Sequence, residues 1–194
     1  MFETSDPIQL FSEWFDEAKK TTLPEPTAML LATVSPDGKP STRVVLLKRF
    51  DDRGFVFYTN LQSQKGRELQ ANPNAALCFY WPPLAKQVRV EGTVQKVSDE
   101  EADAYFSTRP RGAQIGAWAS NQSAELANRG ELEGRVKEFE EKFAGKDVPR
   151  PPFWSGFCVL PERIEFWQSR QDRLHDRVVY VKEGGKWVKS LLYP

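Results

Sequence analysis

Residues 28–60 read AMLLATVSPDGKPSTRVVLLKRFDDRGFVFYTN, and this stretch decides the fold class. Three short runs rich in β-branched and aromatic residues, 28–34, 41–50 and 55–60, have the composition of strands. Between them stand Ser35-Pro36-Asp37-Gly38 and Asp51-Asp52-Arg53-Gly54, both turn sequences. Short strands joined by tight turns indicate a barrel or sandwich, not a doubly wound parallel sheet.

The pattern continues outward from this core. Strands are expected at 75–81 and 87–97, with Pro82-Pro83 as the break. In the second of these Val88 and Val90 alternate with Gln87, Arg89 and Glu91, which gives one apolar and one polar face. Strand patterns return at 156–160, 164–168, 177–182 and 186–192, with Gly184-Gly185 as a hairpin turn. Helices are expected around them. Thr4-Ser5-Asp6 ahead of Pro7 is a capped start, and Phe11, Trp14, Phe15 and Ala18 form one apolar stripe. Residues 63–71 read as a short helix stopped by Asn72-Pro73-Asn74. Ser98-Asp99-Glu100-Glu101 is a capping box whose helix should end near Pro110. Leu132, Val136, Phe139 and Phe143 mark a later amphipathic helix ended by Gly145. Residues 146–152 are a proline-rich connector too short to separate independent domains. The expectation is a mainly β, α+β architecture: one barrel-like domain over 1–194 with an N-terminal helical segment (1–22) and C-terminal strands (163–194).

Composition narrows the function. The 194 residues carry 27 Lys+Arg against 27 Asp+Glu, without the basic excess of a general nucleic-acid binder. No apolar run approaches the roughly 20 residues that span a bilayer, and the acidic start MFETSDPIQLF is unlike a secretory signal. The chain is expected to be soluble and cytoplasmic, with no nucleic-acid or membrane partner. Two cysteines and one histidine cannot supply a structural zinc site, and Cys78 and Cys158 lie in apolar surroundings suited to buried thiols. An enzyme of this composition needs an organic cofactor for its chemistry, and no metal is expected.

Cations cluster at four places. Arg43 and Lys48 flank Val44-Val45-Leu46-Leu47, which reads as a strand buried on both faces, its two cations pointing to opposite sides. Tyr58-Thr59-Asn60 precedes a helix start bearing Lys65 and Arg67, where free amides and the helix dipole suit phosphate, although this segment alone favours ordinary capping with surface cations. Tyr105 and Arg109, four residues apart, would share a helix face and grip a phosphate or carboxylate, or else form a simple arginine–ring contact. In Arg173-Leu174-His175-Asp176-Arg177 an extended chain would put Arg173, His175 and Arg177 on one side, as an anion site or as a solvated edge strand. Trp118 and Trp167 lie near these stretches in sequence. Together they suggest a site for phosphorylated, aromatic small molecules.

At these same residues the chain resembles the pyridoxine/pyridoxamine 5′-phosphate oxidases. The matching motifs are RVVLLK (43–48), FYTN (57–60), QVRVEG (87–92), YFSTRPRGAQIGAW (105–118), NQS (121–123), IEFWQ (164–168) and RLHDR (173–177), in family order. The resemblance implies an FMN-binding split β-barrel acting as a homodimer, with both sites at the subunit interface. It implies oxidation of pyridoxamine or pyridoxine 5′-phosphate to pyridoxal 5′-phosphate, with O2 reduced to H2O2. FMN contacts are implied for Arg43, Val44, Val45, Leu46, Leu47, Lys48, Tyr58, Thr59, Lys65, Gln87, Gln122, Ser123, Trp167 and Arg177. Substrate contacts are implied for Lys48, Tyr105, Arg109, Arg173, Leu174 and His175, of which Arg173 and His175 would position the ring for reaction. Three departures stand out: Gln64 where the family usually has Arg, with Arg67 as the candidate to compensate; Ala113 where it commonly has Ser; and a short N-terminus, without the basic and aromatic segment that precedes the first helix in longer members. Rival readings are a non-catalytic carrier of FMN or pyridoxal phosphate and a related split-barrel flavoprotein with another substrate.

Overall fold

Alternation along each strand sorts side chains onto two faces, and burial of one of them shapes the molecule. The computed structural model describes residues 2–194. Its strands are β1 (Ala28–Val34), β2 (Pro40–Leu46), β3 (Arg49–Asp51), β4 (Gly54–Asn60), β5 (Asn74–Trp81), β6 (Lys86–Lys96), β7 (Trp154–Gln168), β8 (Asp176–Glu183) and β9 (Lys186–Leu191). Its helices are α1 (Pro7–Lys19), α2 (Gln64–Ala71), α3 (Asp99–Ser107), α4 (Arg111–Ala119) and α5 (Arg129–Lys142). The strands form one antiparallel sheet in the order β2-β1-β5-β6-β7-β4-β3, with β8 beside β7 and β9 beside β8.

The two ends of that order are neighbours in the chain. β2 pairs with β1 as far as Leu46; then the Leu47 N–H donates to Thr27 O and the Lys48 N–H to Val56 O on β4, both at 2.9 Å. Two residues therefore carry the backbone from one edge of the sheet to the other, so the sheet curls into a half-barrel whose ends meet there. This corrects the expectation of one strand over 41–50. It also corrects the strand buried on both faces, because β2 is an edge on which Val44 is 61% exposed.

β7 is a single strand of 15 residues where the sequence pattern suggests two. Pro161 has no N–H to give, and it sits where the register with β6 shifts at Glu91/Gly92, a bulge that tolerates proline. Gly92 is required at this crossing, since a Cβ there would lie 2.0 Å from the Leu160 carbonyl oxygen. The first half of β7 pairs with β4 and the second half with β8.

The apolar stripe of α1 fills the concave face. Asp6 caps the helix by accepting from the Ile8 N–H at 2.8 Å, and Phe11 meets Phe50, Phe55 and Phe79 at ring distances of 4.9–5.0 Å. Trp14 packs edge-on against Phe166, and Val88 and Val90 are fully buried beneath, as their alternation foretold. Burial of each such ring contributes about 1.5–3 kcal/mol. On the outer face, cross-strand partners run Val44–Leu30–Cys78–Arg89–Glu165–Val179, with Tyr80–Gln87–Trp167–Arg177 in the next row. α3 stops at Ser107, and a separate α4, not anticipated from the sequence, starts after Pro110.

Candidate active site

Where β2, β4, α2 and the α3–α4 corner converge they enclose a cleft of about 860 Å³. Its walls are Arg43, Val44, Val45, Leu46 and Lys48 from the β2 end, Tyr58, Thr59 and Asn60 from the β4 end, and Lys65 from α2. Tyr105, Thr108, Arg109, Ala113 and Gln122 complete it together with Trp154. Arg43 and Lys48 both face this cleft. The parity that would have set them on opposite sides is lost at the edge-to-edge jump between them.

One wall carries two cations, each held by its own hydrogen bonds. The Lys65 ammonium lies 3.1 Å from Gln122 Oε1 and 3.4 Å from Thr59 Oγ1, and burial with Arg43 nearby pulls its pKa down. Such a group gains from an anion. Arg43 is anchored from behind: Nη2 meets Ser41 Oγ at 2.5 Å and Glu68 Oε2 at 3.3 Å, and Nη1 donates to Thr33 Oγ1. Glu68 is buried. Desolvation alone would raise its pKa, but bonds from Thr33, Gln64 (2.9 Å) and Ser41 (2.8 Å), with the Arg43 charge, hold it at about 2. Gln64 is thus turned to Glu68. Arg67 donates to Gln62 O and lines a separate groove with Leu61 and Phe153, so it does not replace a cation in the cleft.

The opposite wall is aromatic. Tyr58 stacks on Tyr105 at 4.0 Å and on Trp154 at 5.3 Å, with near-parallel rings, and burial pushes the Tyr58 phenol up to about 12. Arg109 lies beyond the end of α3, its Cζ 4.8 Å from the Trp154 ring and 5.5 Å from Phe106. The arginine–ring contact therefore exists, but to these rings. Its Nη1 is buried with no hydrogen-bond partner among the described residues, and burial lowers its pKa. A buried guanidinium donor without a partner is costly, and its fork geometry suits the oxygens of a phosphate or a carboxylate.

The remaining candidates lie elsewhere on the chain. Gln87, Trp167 and Arg177 share one cross-strand row on the outer face. Arg177 gives Nε and Nη2 to Glu165 Oε1 (2.9 and 2.7 Å) and Nη1 to Tyr193 O. His175 packs on Trp167 at 4.7 Å, and its Nδ1 accepts from the Arg170 N–H at 3.2 Å. His175 and Arg177 line a second cleft of about 530 Å³ with Phe2 and Lys189. Residues 173–177 are not one extended run: Gln171–Arg173 is a 3-10 turn with positive φ at Asp172 and Arg173, and β8 starts only at Asp176. The expected one-sided trio of Arg173, His175 and Arg177 is corrected accordingly. Arg173 and Leu174 are exposed, and Ser123 is an exposed turn residue with φ +70° that is not part of the first cleft's wall. Leu47 faces the core at 4% exposure, not the cleft.

Sequence reasoning missed Trp154 as a cleft residue and did not single out Thr108. It had picked out Trp118, which instead donates to Pro149 O and packs on Phe139 and Phe143. The available signal for Trp154 was its place at a strand start directly after a proline-rich connector.

Residues 15–143 match the family described as pyridoxamine 5′-phosphate oxidase, and residues 154–194 match the pyridoxine 5′-phosphate oxidase C-terminal dimerisation region. The chain belongs to the pyridoxamine 5′-phosphate oxidase family. A pyridoxine/pyridoxamine 5′-phosphate oxidase of Myxococcus xanthus (strain DK1622) is 63% identical over 97% of this chain and 92% of that protein. PhzG from Burkholderia lata 383, solved with tetrahydrophenazine-1-carboxylic acid, is 34% identical with a TM-score of 0.94, covering 99% of this chain and 94% of that one. A pyridoxamine 5′-phosphate oxidase-related, FMN-binding protein of Nostoc punctiforme PCC 73102 shares the fold at TM-score 0.78 and 19% identity, over 98% and 100% of the two chains. The half-barrel is the split barrel of these oxidase-related proteins. The chain is thus a member of this oxidase family, and its residues 154–194 match the family's dimerisation region. Among the described residues no helix is long and apolar enough to cross a membrane.

Proposed function

We propose that the chain oxidises pyridoxamine 5′-phosphate and pyridoxine 5′-phosphate to pyridoxal 5′-phosphate, using FMN and passing the electrons to O2 to give H2O2, the amine substrate also taking up water and releasing ammonia. The observation that carries this reading is the unpartnered, half-buried Arg109 guanidinium in a cleft that also holds Lys48, Lys65 and Arg43. Family membership supplies the cofactor. The residues present fit it: Lys65 has its pKa lowered by burial beside Arg43, and Arg43 is locked with its guanidinium at the cleft. Arg43, Lys65, Thr59 and Gln122 would hold the FMN phosphate, while Lys48, Tyr105 and Arg109 would hold the substrate phosphate. When bound, FMN supplies a two-electron acceptor that O2 can reoxidise.

The protein's part is binding and orientation. His175 and Arg173 would set the pyridine ring, which requires the C-terminal residues of one subunit to complete the first cleft of its partner. Two features support a homodimer built in this way. Residues 154–194 match a dimerisation region, and Leu30, Val44 and Tyr80, each about half exposed, form an apolar strip on the face that also bears Gln87, Trp167 and Arg177. The test is optical. Purified protein should be yellow, should bleach on anaerobic addition of pyridoxamine 5′-phosphate, and should regain colour in air. Colour that does not bleach would overturn the reading.

A further inference from the structure

Burying a guanidinium is costly unless something replaces the water it loses, and carboxylates do so elsewhere in this fold, Glu68 for Arg43 and Glu165 for Arg177. Arg109 has no carboxylate partner among the described residues. What faces it is Trp154, 5% exposed, with its ring 4.8 Å from Cζ. That indole is itself fixed. Phe106 meets it edge-on at 5.1 Å and 70°, Tyr58 stacks on it, and the Trp154 carbonyl accepts from Arg150 Nη1 at 2.8 Å. Arg150 in turn pairs with Asp99 and Asp103 of α3, tying the start of β7 to the helix that leads to Arg109.

A carboxylate at this place would hold Arg109 equally well but would cancel its charge. A tryptophan face attracts the cation through its quadrupole and carries no net charge, so the full positive charge remains for a ligand in the cleft that Arg109 lines. We propose that Trp154 is a positioning residue for phosphate recognition, standing where a counter-ion would stand and presenting Arg109 to the phosphate monoester of the substrate. The inference rests on the function proposed above and adds to it a residue that lies outside the family motifs.

The test uses the FMN-loaded enzyme with Trp154→Phe and Trp154→Leu, measuring KM for pyridoxamine 5′-phosphate, the inhibition constant of inorganic phosphate, kcat and flavin content. In the leucine variant both constants should rise about 5- to 30-fold, the span of a desolvated cation–π contact, and in the phenylalanine variant by less. The loss should fall on KM more than on kcat, and weak binding of pyridoxamine lacking the phosphate should not change. Unmoved constants, a fall in kcat alone, or equal weakening toward the unphosphorylated amine would overturn the proposal. Should the leucine variant fail to fold, the phenylalanine variant decides by the same two constants. A wild-type enzyme indifferent to both phosphate and pyridoxamine 5′-phosphate would instead strike down the proposed function itself.

Discussion

Arg43 and Arg109 line the same cleft and are held by opposite devices. Arg43 is clamped by a buried glutamate and two hydroxyls on β1 and β2, so its position is fixed and much of its charge is neutralised at the source. Arg109 rests on aromatic faces, with one donor left over. The first arrangement makes an arginine part of the scaffold. The second keeps it available, at a standing cost in stability that a bound anion offsets. Under the proposed function the clamped arginine would serve the resident cofactor and the available one the exchanging substrate.

Three measurements would break or sharpen this contrast. The largest effect is expected from Glu68→Gln, which leaves the largely buried Arg43 guanidinium without its counter-ion and should cost about 3 kcal/mol of unfolding free energy at neutral pH. A loss below about 1 kcal/mol would mean that Arg43 is not clamped electrostatically. The same charge can be titrated. Because the folded-state pKa of Glu68 is lowered from 4.5 to about 2, its stabilisation is present above 4.5 and lost as pH falls toward 2. Wild-type stability should fall by on the order of 3 kcal/mol more than that of Glu68→Gln across this window, because each tenfold gain in acidity on folding is worth about 1.4 kcal/mol. Parallel curves would contradict the assignment. Smallest in stability, Arg109→Met should leave the unfolding free energy within about 1 kcal/mol of wild type, since no partner is orphaned. The same variant should raise KM for pyridoxamine 5′-phosphate by roughly 30- to 150-fold, as about two or three kcal/mol of charged hydrogen bonding would. Marked destabilisation with intact phosphate binding would reverse the roles of the two arginines.

Much of the fold was legible because its signals are local. The stripe of Phe11, Trp14 and Phe15, the caps at Asp6 and Ser98, and the alternation about Val88 and Val90 each depend on residues a few positions apart. What stayed hidden depends on distant partners. Nothing in Arg43-Val44-Val45-Leu46-Leu47-Lys48 marks the point where the backbone changes sheet edges, because apolar residues suit both edges. Pro161 reads as a strand end until Gly92 is seen opposite it. Positive φ at Asp172 and Arg173 has no glycine to announce it, so RLHDR reads as extended. The cleft was half legible for the same reason: its cations stand out in sequence, whereas the rings that hold Arg109 look like ordinary core residues.

Among the described strands β7 alone joins β4 to β6 in the sheet order, and it begins at residue 154. During synthesis, then, most of the protein leaves the ribosome while both of those neighbours still expose unpaired backbone, the condition under which nascent chains aggregate or recruit chaperones. Trp154 arrives with the same segment, so the cleft is finished only as the C-terminal part of the polypeptide docks. Any truncation upstream of that point should yield an adhesive intermediate, not a smaller version of the enzyme.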